Sequence, residues 1–198
     1  MSKTDQLRQI RDEVLHLTQS PLYEYRVSNG YYPVIGMGSH DAQIMFIGEA
    51  PGENEAKQAK PFVGASGRFL DELLASISLR REDVYITNVV KDRPPDNRDP
   101  RPEEIALYAP FLDRQINIIQ PSVIATLGRF SMDWILRRFG SPLAGRKISE
   151  LRGKVIPLSA DYGQISMVPL MHPANALYNP NMRAGQFEDF KVLTQFLS

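Results

Sequence analysis

Four short, almost wholly apolar runs, spaced by helical patterns, constrain this chain more than any other feature. They are Gln43–Ile47 (QIMFI), Val84–Val90 (VYITNVV), Ser122–Leu127 (SVIATL) and Ile165–Met171 (ISMVPLM). Each is rich in Val, Ile or Thr, or bounded by turn residues, as strands are. Phe69, Leu70, Leu73, Leu74 and Ile77 recur at helical spacing between the first two runs. Ile105, Tyr108, Leu112, Ile116 and Ile119 do so between the second and third, behind Pro102 and two glutamates that open a helix. Ile135, Leu136 and Phe139 mark a further helix stopped by Gly140, and Phe187, Phe190, Leu193 and Leu197 mark a terminal one. Strands that lack inside–outside alternation are buried on both faces, which a parallel sheet covered by helices provides. The expected fold is α/β, with three layers (α/β/α) around a central, mainly parallel four-stranded sheet, in a single domain over residues 1–198.

Outside the runs the pattern is simpler. A helix is expected roughly from Asp5 to Leu17, with Thr4 as its N-cap and Leu7, Ile10, Val14 and Leu17 on one face. The Tyr/Gly/Pro-rich stretch from Pro21 to Ser39 reads as irregular, and Gly145–Pro157 as a small hairpin or turn. Apolar residues make up 42% and charged residues 23%, which excludes a disordered chain. No apolar run reaches the roughly 18–20 residues of a membrane span. The charged, amphipathic N-terminus has no apolar signal core, so a cytoplasmic location is expected. With no cysteine, disulfides, thiolate zinc sites and cysteine-held iron–sulfur clusters are excluded. His16, His40 and His172 stand far apart in unrelated contexts, so no metal site is expected. The formal net charge is zero, which neither announces nor excludes a nucleic-acid partner.

Three polar signatures follow the runs directly. Gly48-Glu49-Ala50-Pro51-Gly52 follows the first, Asn88 sits near the end of the second, and His172-Pro173-Ala174 follows the last. In a parallel sheet all three lie along the carboxyl edge, where open α/β sheets bind their ligands. Singly, each has an ordinary structural explanation. A Gly/Pro turn is usually only a turn, an Asn at a strand end commonly bonds nearby backbone, and Phe62 by itself reads as a core aromatic. GEAPGENEA lacks both the G-x-G-x-x-G spacing and the lysine of a P-loop.

Together the signatures resemble the uracil-DNA glycosylase superfamily, most closely its family 4. IMFIGEAPGENEAKQAKPFVGASGRFLDELL is similar to that family's first motif and the loop after it. VYITNVVKDRPPDNRDPRPEE is similar to its second block, and MHPANALYNP to its histidine motif. The similarity runs from about Leu17 to the terminal helix. It implies a monofunctional glycosylase that hydrolyses the N-glycosidic bond of uracil in DNA and leaves an abasic site, as in base excision repair. It also implies roles. Gly48, Glu49 and Ala50 would lie at the sugar and base, Phe62 would stack on the extruded base, Asn88 would read its edge, and His172 would stabilise the leaving base. Pro51, Asn97, Pro173, Leu177 and Arg183 would meet DNA, with Leu177 plugging the gap. The implied partner is uracil-containing DNA, with no cofactor, no membrane and a monomeric chain.

The chain departs from the family in two places. Family 4 members usually hold a four-iron cluster with cysteines at positions matching Leu17, Ser20, Asp92 and Tyr108, none of which is a thiolate here. Packing of Leu17 and Tyr108 is expected to replace the cluster. Tyr178 stands where the histidine motif commonly carries Arg, and Arg183 is the candidate substitute. Some superfamily members place a water-activating aspartate where this chain has Ala50, so less reliance on a strong base is expected. The Pro94–Pro100 loop lacks the basic, histidine-containing character of the covalently trapping relatives, so ordinary turnover is expected. Two alternatives stay open: a related glycosylase acting on hypoxanthine or mismatched bases, and a catalytically inactive DNA-binding homologue.

Overall fold

The computed structural model of the chain describes residues 1–197; Ser198 lies outside them. In chain order the described residues form α1 (Lys3–Leu15), α2 (Tyr23–Ser28), β1 (Met37–Gly38), β2 (Ile44–Gly48), α3 (Glu53–Gln58), α4 (Ala65–Ser76) and β3 (Tyr85–Asn88). They continue with α5 (Pro102–Ile119), β4 (Val123–Leu127), α6 (Arg129–Arg138), α7 (Ile148–Leu151), β5 (Ile156–Ala160), β6 (Gly163–Leu170), α8 (Ala174–Tyr178) and α9 (Arg183–Lys191).

The sheet has the order β1-β3-β2-β4-β6-β5. Its four inner strands, β3, β2, β4 and β6, are mutually parallel and correspond to the four apolar runs. The expected four strands become six because a short antiparallel strand closes each edge. β1 lies within the stretch expected to be irregular, as does α2. Two residues of strand and six of helix are too short to give a periodic signal. At Gly38 (φ +124°) an added Cβ would lie 1.8 Å from the carbonyl oxygen of Val84, so only glycine allows the backbones to approach this closely. At the other edge, Ile156 and Leu158 face inward while Pro157 and Ser159 face solvent, which is strand alternation. The hairpin therefore joins β5 to β6 through Asp161-Tyr162, and Gly145–Pro157 mostly precedes it, contributing α7.

The first helix starts earlier than Thr4 would have it. Ser2 is the N-cap: its hydroxyl accepts from the Asp5 amide at 3.1 Å, and the Asp5 carboxylate accepts in return from the Ser2 amide at 3.3 Å. This reciprocal capping box satisfies two donors that a Thr4 start would leave to water. The Thr4 hydroxyl instead meets the His40 ring at 2.8 Å.

Two apolar cores cover the two sheet faces. α1, α5 and α6 pack on one through Ile10, Tyr108, Leu112, Ile116 and Ile135, against Met45, Ile47 and Ile124 of the sheet. α4 and α9 pack on the other through Phe69, Leu70, Leu73 and Phe190, against Phe46, Ile86 and Val168. With β3 and β4 on opposite sides of β2, the chain reverses direction beyond the carboxyl ends of β2 and β4, which opens a crevice there.

The four positions matching the family's cluster ligands do meet in space, but not as apolar packing alone. The Ser20 and Tyr108 hydroxyls lie 2.7 Å apart, and Tyr108 donates to Asp92 Oδ2 at 2.5 Å. Arg26 Nη1 donates to both Asp92 oxygens at 3.1 and 3.0 Å and to the Val14 carbonyl at 3.1 Å. Leu17 is buried beside them in the same core. Carboxylate, hydroxyls and guanidinium fill this region and bond to one another, so its residues do not fit an iron–sulfur cluster. The network ties the end of α1, α2, the segment after β3 and α5 together. Asp92→Ala strands a buried guanidinium, so chemical denaturation should register a loss of about 3–5 kcal/mol. A loss below about 1 kcal/mol would mean that the network is dispensable.

Candidate active site

Gly48, the last residue of β2, pairs in register with Asn88, the last residue of β3. A Cβ on Gly48 would meet Asn88 Oδ1 at 2.4 Å and Phe62 Cζ at 2.9 Å. The absent side chain thus lets the amide and the ring converge over the strand end. Asn88 is 2% exposed, and its Oδ1 is buried with no hydrogen-bond partner. An unmet buried acceptor costs about 1–3 kcal/mol unless a donor reaches it.

The Phe62 ring lies 5.7 Å from that of His172, at 31° between planes. Phe62 has φ +51°, a left-handed conformation that costs a bulky residue about 1–2 kcal/mol. His172 follows β6 and packs against Gly128, which follows β4 at φ +101° and would carry a Cβ 3.4 Å from His172 Cβ. The Ala174 amide donates to His172 Nδ1 at 3.2 Å, which leaves Nε2 as the ring's N–H. Burial pushes the imidazole down to about 4, against the opposing pull of Glu55, so the ring is neutral at physiological pH. Glu49 is half-buried. Burial, assisted by Asp99 and opposed by Arg129, raises its carboxyl to about 7.

These groups line one cavity of about 440 Å³. Glu49, Ala50, Pro51, Phe62, Asn88, Asn97 and His172, all expected from the sequence, are in its wall. Asn97 is held there by Arg93, whose Nε donates to its Oδ1 at 2.8 Å. Leu177 and Tyr178 stand outside it on α8, 42% and 88% exposed. Pro173 caps the same helix. Arg183 is not brought to the cavity: it pairs with Glu72 and lies 4.3 Å over the Phe69 ring, on the α4 side.

Two site-shaping residues escape sequence reasoning. Glu55 lines the cavity, and its Oε1 accepts from the amides of Val63 and Gly64, each at 2.9 Å, holding the Phe62 loop. Lys91 is fully buried and donates to Thr87 Oγ1 at 2.8 Å, Gln115 Oε1 at 2.5 Å and the Asn88 carbonyl at 2.6 Å. It pins the end of β3 and so the Asn88 backbone. Burial pushes its ammonium well below the usual lysine range, while three acceptors match its three donors. The available signal was a lysine closing the apolar run VYITNVV. Among the described residues no group of three His, Asp or Glu side chains is disposed to hold a metal ion.

The sheet edge thus bears one cavity with an aromatic wall, an unpaired amide acceptor and a neutral imidazole. The chain belongs to the uracil-DNA glycosylase superfamily: the model "Uracil DNA glycosylase superfamily" matches residues 35–197. It is 45% identical over 192 residues to a type-4 uracil-DNA glycosylase of Sulfurisphaera tokodaii, covering 96% of this chain and 84% of that protein. A type-4 uracil-DNA glycosylase of Archaeoglobus fulgidus is 45% identical over 169 residues, 85% of this chain and 83% of the relative. One of Thermotoga maritima is 38% identical over 190 residues, 95% and 93% of the two chains.

The cradle at Gly48 generates a direct test. Gly48→Ala should displace the Asn88 amide and the Phe62 ring and lower kcat/KM on the cognate base about a hundredfold, with little change in melting temperature. Unchanged kinetics would show that the close approach is immaterial.

Proposed function

We propose that this chain is a monofunctional uracil-DNA glycosylase that frees uracil from DNA and leaves an abasic site for base excision repair. The observation that carries the reading is Asn88 Oδ1, buried and unpartnered beside the Phe62 ring. Family membership supports it. The target bond is inaccessible inside a duplex, so the nucleotide must first be extruded, at a cost of a few kcal/mol. Stacking on Phe62 offsets part of this, and the exposed Leu177 on α8 is suited to fill the gap left behind. Pro51, Asn97 and Pro173 meet the strand around the extruded nucleotide. Arg183 would reach a phosphate only by exchanging its pair with Glu72.

An Asn amide presents an acceptor and a donor side by side. Oδ1 accepts from uracil N3–H while Nδ2 donates to O4. Cytosine has the reverse pattern and leaves those groups unpaired. When the bond breaks, its electron pair moves onto the uracil ring and C1′ of the sugar becomes cationic. Neutral His172 donates its Nε2–H to O2, a preorganised interaction that can contribute about 3–4 kcal/mol. The Glu49 carboxylate faces the sugar, stabilises the cation and orients the water whose oxygen bonds C1′. That water gives up a proton as its oxygen bonds C1′, and the departing uracil anion takes up one in its place. The reading includes a chain acting as one domain and one monomer, in the cytoplasm.

The protein is incubated with labelled oligonucleotides bearing one uracil, opposite G, opposite A or single-stranded, and then treated with alkali. Cleavage at uracil and not at thymine is expected. Cleavage only at hypoxanthine, or binding without cleavage, would overturn the reading. His172→Ala should slow cleavage by about 10²–10³-fold. The pH profile has a defined sign: because the Glu49 carboxyl is raised to about 7, its active anion accumulates as pH climbs through that value. The kcat/KM should therefore rise across pH 6–8, whereas His172, at about 4, imposes no change there. In Glu49→Gln the rise should vanish; if it persists, another group titrates.

A further inference from the structure

Phe62 is held in its left-handed conformation from outside the cavity. The Phe62–Val63 peptide is gripped at both ends: its N–H donates to Glu55 Oε1 at 2.9 Å, and its carbonyl accepts from Arg81 Nη2 at 2.6 Å. Arg81, in the turn between α4 and β3, also donates from Nη1 to the Pro61 carbonyl at 2.9 Å and from Nη2 to the Gly67 carbonyl at 3.2 Å. Its Nε donates to Asp71 at 2.7 Å, which aims the guanidinium plane. One side chain thus gathers the carbonyls of residues 61, 62 and 67. Gly67 completes the grip, because a Cβ there would lie 1.8 Å from the Phe62 carbonyl oxygen.

A guanidinium presents its donors in a fixed plane, so it can hold several carbonyls in one geometry where a lysine ammonium could not. Arg81 is 23% exposed, and it is not among the residues that line the cavity. Its hydrogen bonds converge on a loop whose backbone is left-handed at Phe62 and whose Phe62 side chain walls the site. We propose that Arg81 is a positioning residue, whose hold on the Phe62 carbonyl presets the ring to receive the extruded base. The proposal rests on the reading of Phe62 as the stacking surface. Without Arg81 the loop relaxes toward negative φ at Phe62, and the ring leaves its place beside Asn88 and His172.

A double-mutant cycle on uracil excision tests this, with melting temperature recorded for every variant. Arg81→Met should lower kcat/KM about ten- to a hundredfold in the otherwise native protein. In a Phe62→Ala background the same substitution should change it less than about twofold, since the ring it positions is gone. Asp71→Asn, which disturbs the arginine's outer partner and not the loop, should cost at most about threefold. Should Arg81→Met melt below the assay temperature, Arg81→Lys replaces it in the same cycle, with the same non-additivity expected. Equal losses in both backgrounds, or no loss in the native one, would overturn the positioning role. A Phe62→Ala protein as active as the native one would instead remove the stacking reading itself, a distinguishable failure.

Discussion

The parallel pairing of β2 with β3, in a register that sets Gly48 against Asn88, is the constraint on which the rest depends. A parallel ladder sends the ends of β2, β3, β4 and β6 to one edge, so residues more than a hundred positions apart in sequence share a cavity. A glycine opposite an asparagine leaves room for the amide to lie over the strand end, and the Phe62 ring fills the remaining space. A slip of one residue would turn Asn88 to the other face of the sheet. From inside the core, Lys91 ties the Asn88 carbonyl to Gln115 of α5.

Around this constraint the site divides its work between rigid and titratable parts. The rigid part is the backbone: the Ala174 amide selects the His172 tautomer, Glu55 and Arg81 grip the Phe62–Val63 peptide, and Gly128 admits the imidazole. The titratable part is the pair His172 and Glu49, driven in opposite senses by the same burial. Desolvation keeps the histidine neutral and lifts the glutamic acid toward neutrality. One group then keeps its charge state over the whole physiological range, while the other changes charge within it. Beyond the end of β3, Arg26, Asp92, Tyr108 and Ser20 form a buried ion-pair network where the family commonly has metal, joining the surrounding elements by hydrogen bonds.

Much of this was legible in the sequence because the signals were periodic or contiguous. The inner strands were visible as short, almost wholly apolar runs, and their parallel arrangement followed from the helices between them. The convergence of Glu49, Asn88 and His172 then followed from topology. Elements too short to carry a period were not legible: β1, α2 and the true span of the β5–β6 hairpin. Nor were contacts that depend on three-dimensional closure. Arg26 and Asp92 are 66 positions apart, and nothing local in either indicates the other. Arg81 and Glu55 left no signal, because the groups they hold in the Phe62 loop are backbone carbonyls and amides, which leave no trace in residue identity. Arg183 was expected to meet DNA because nothing local shows its pairing with Glu72, which spans 111 positions.

We propose that the buried, unpartnered Asn88 Oδ1 receives the N3–H of a uracil ring. It is tested most directly by comparing excision from oligonucleotides carrying deoxyuridine and N3-methyldeoxyuridine at the same position. The methyl group removes that donor and leaves the glycosidic bond in place. The account predicts that excision of the methylated base falls at least about a hundredfold. Equal rates on the two substrates would contradict it.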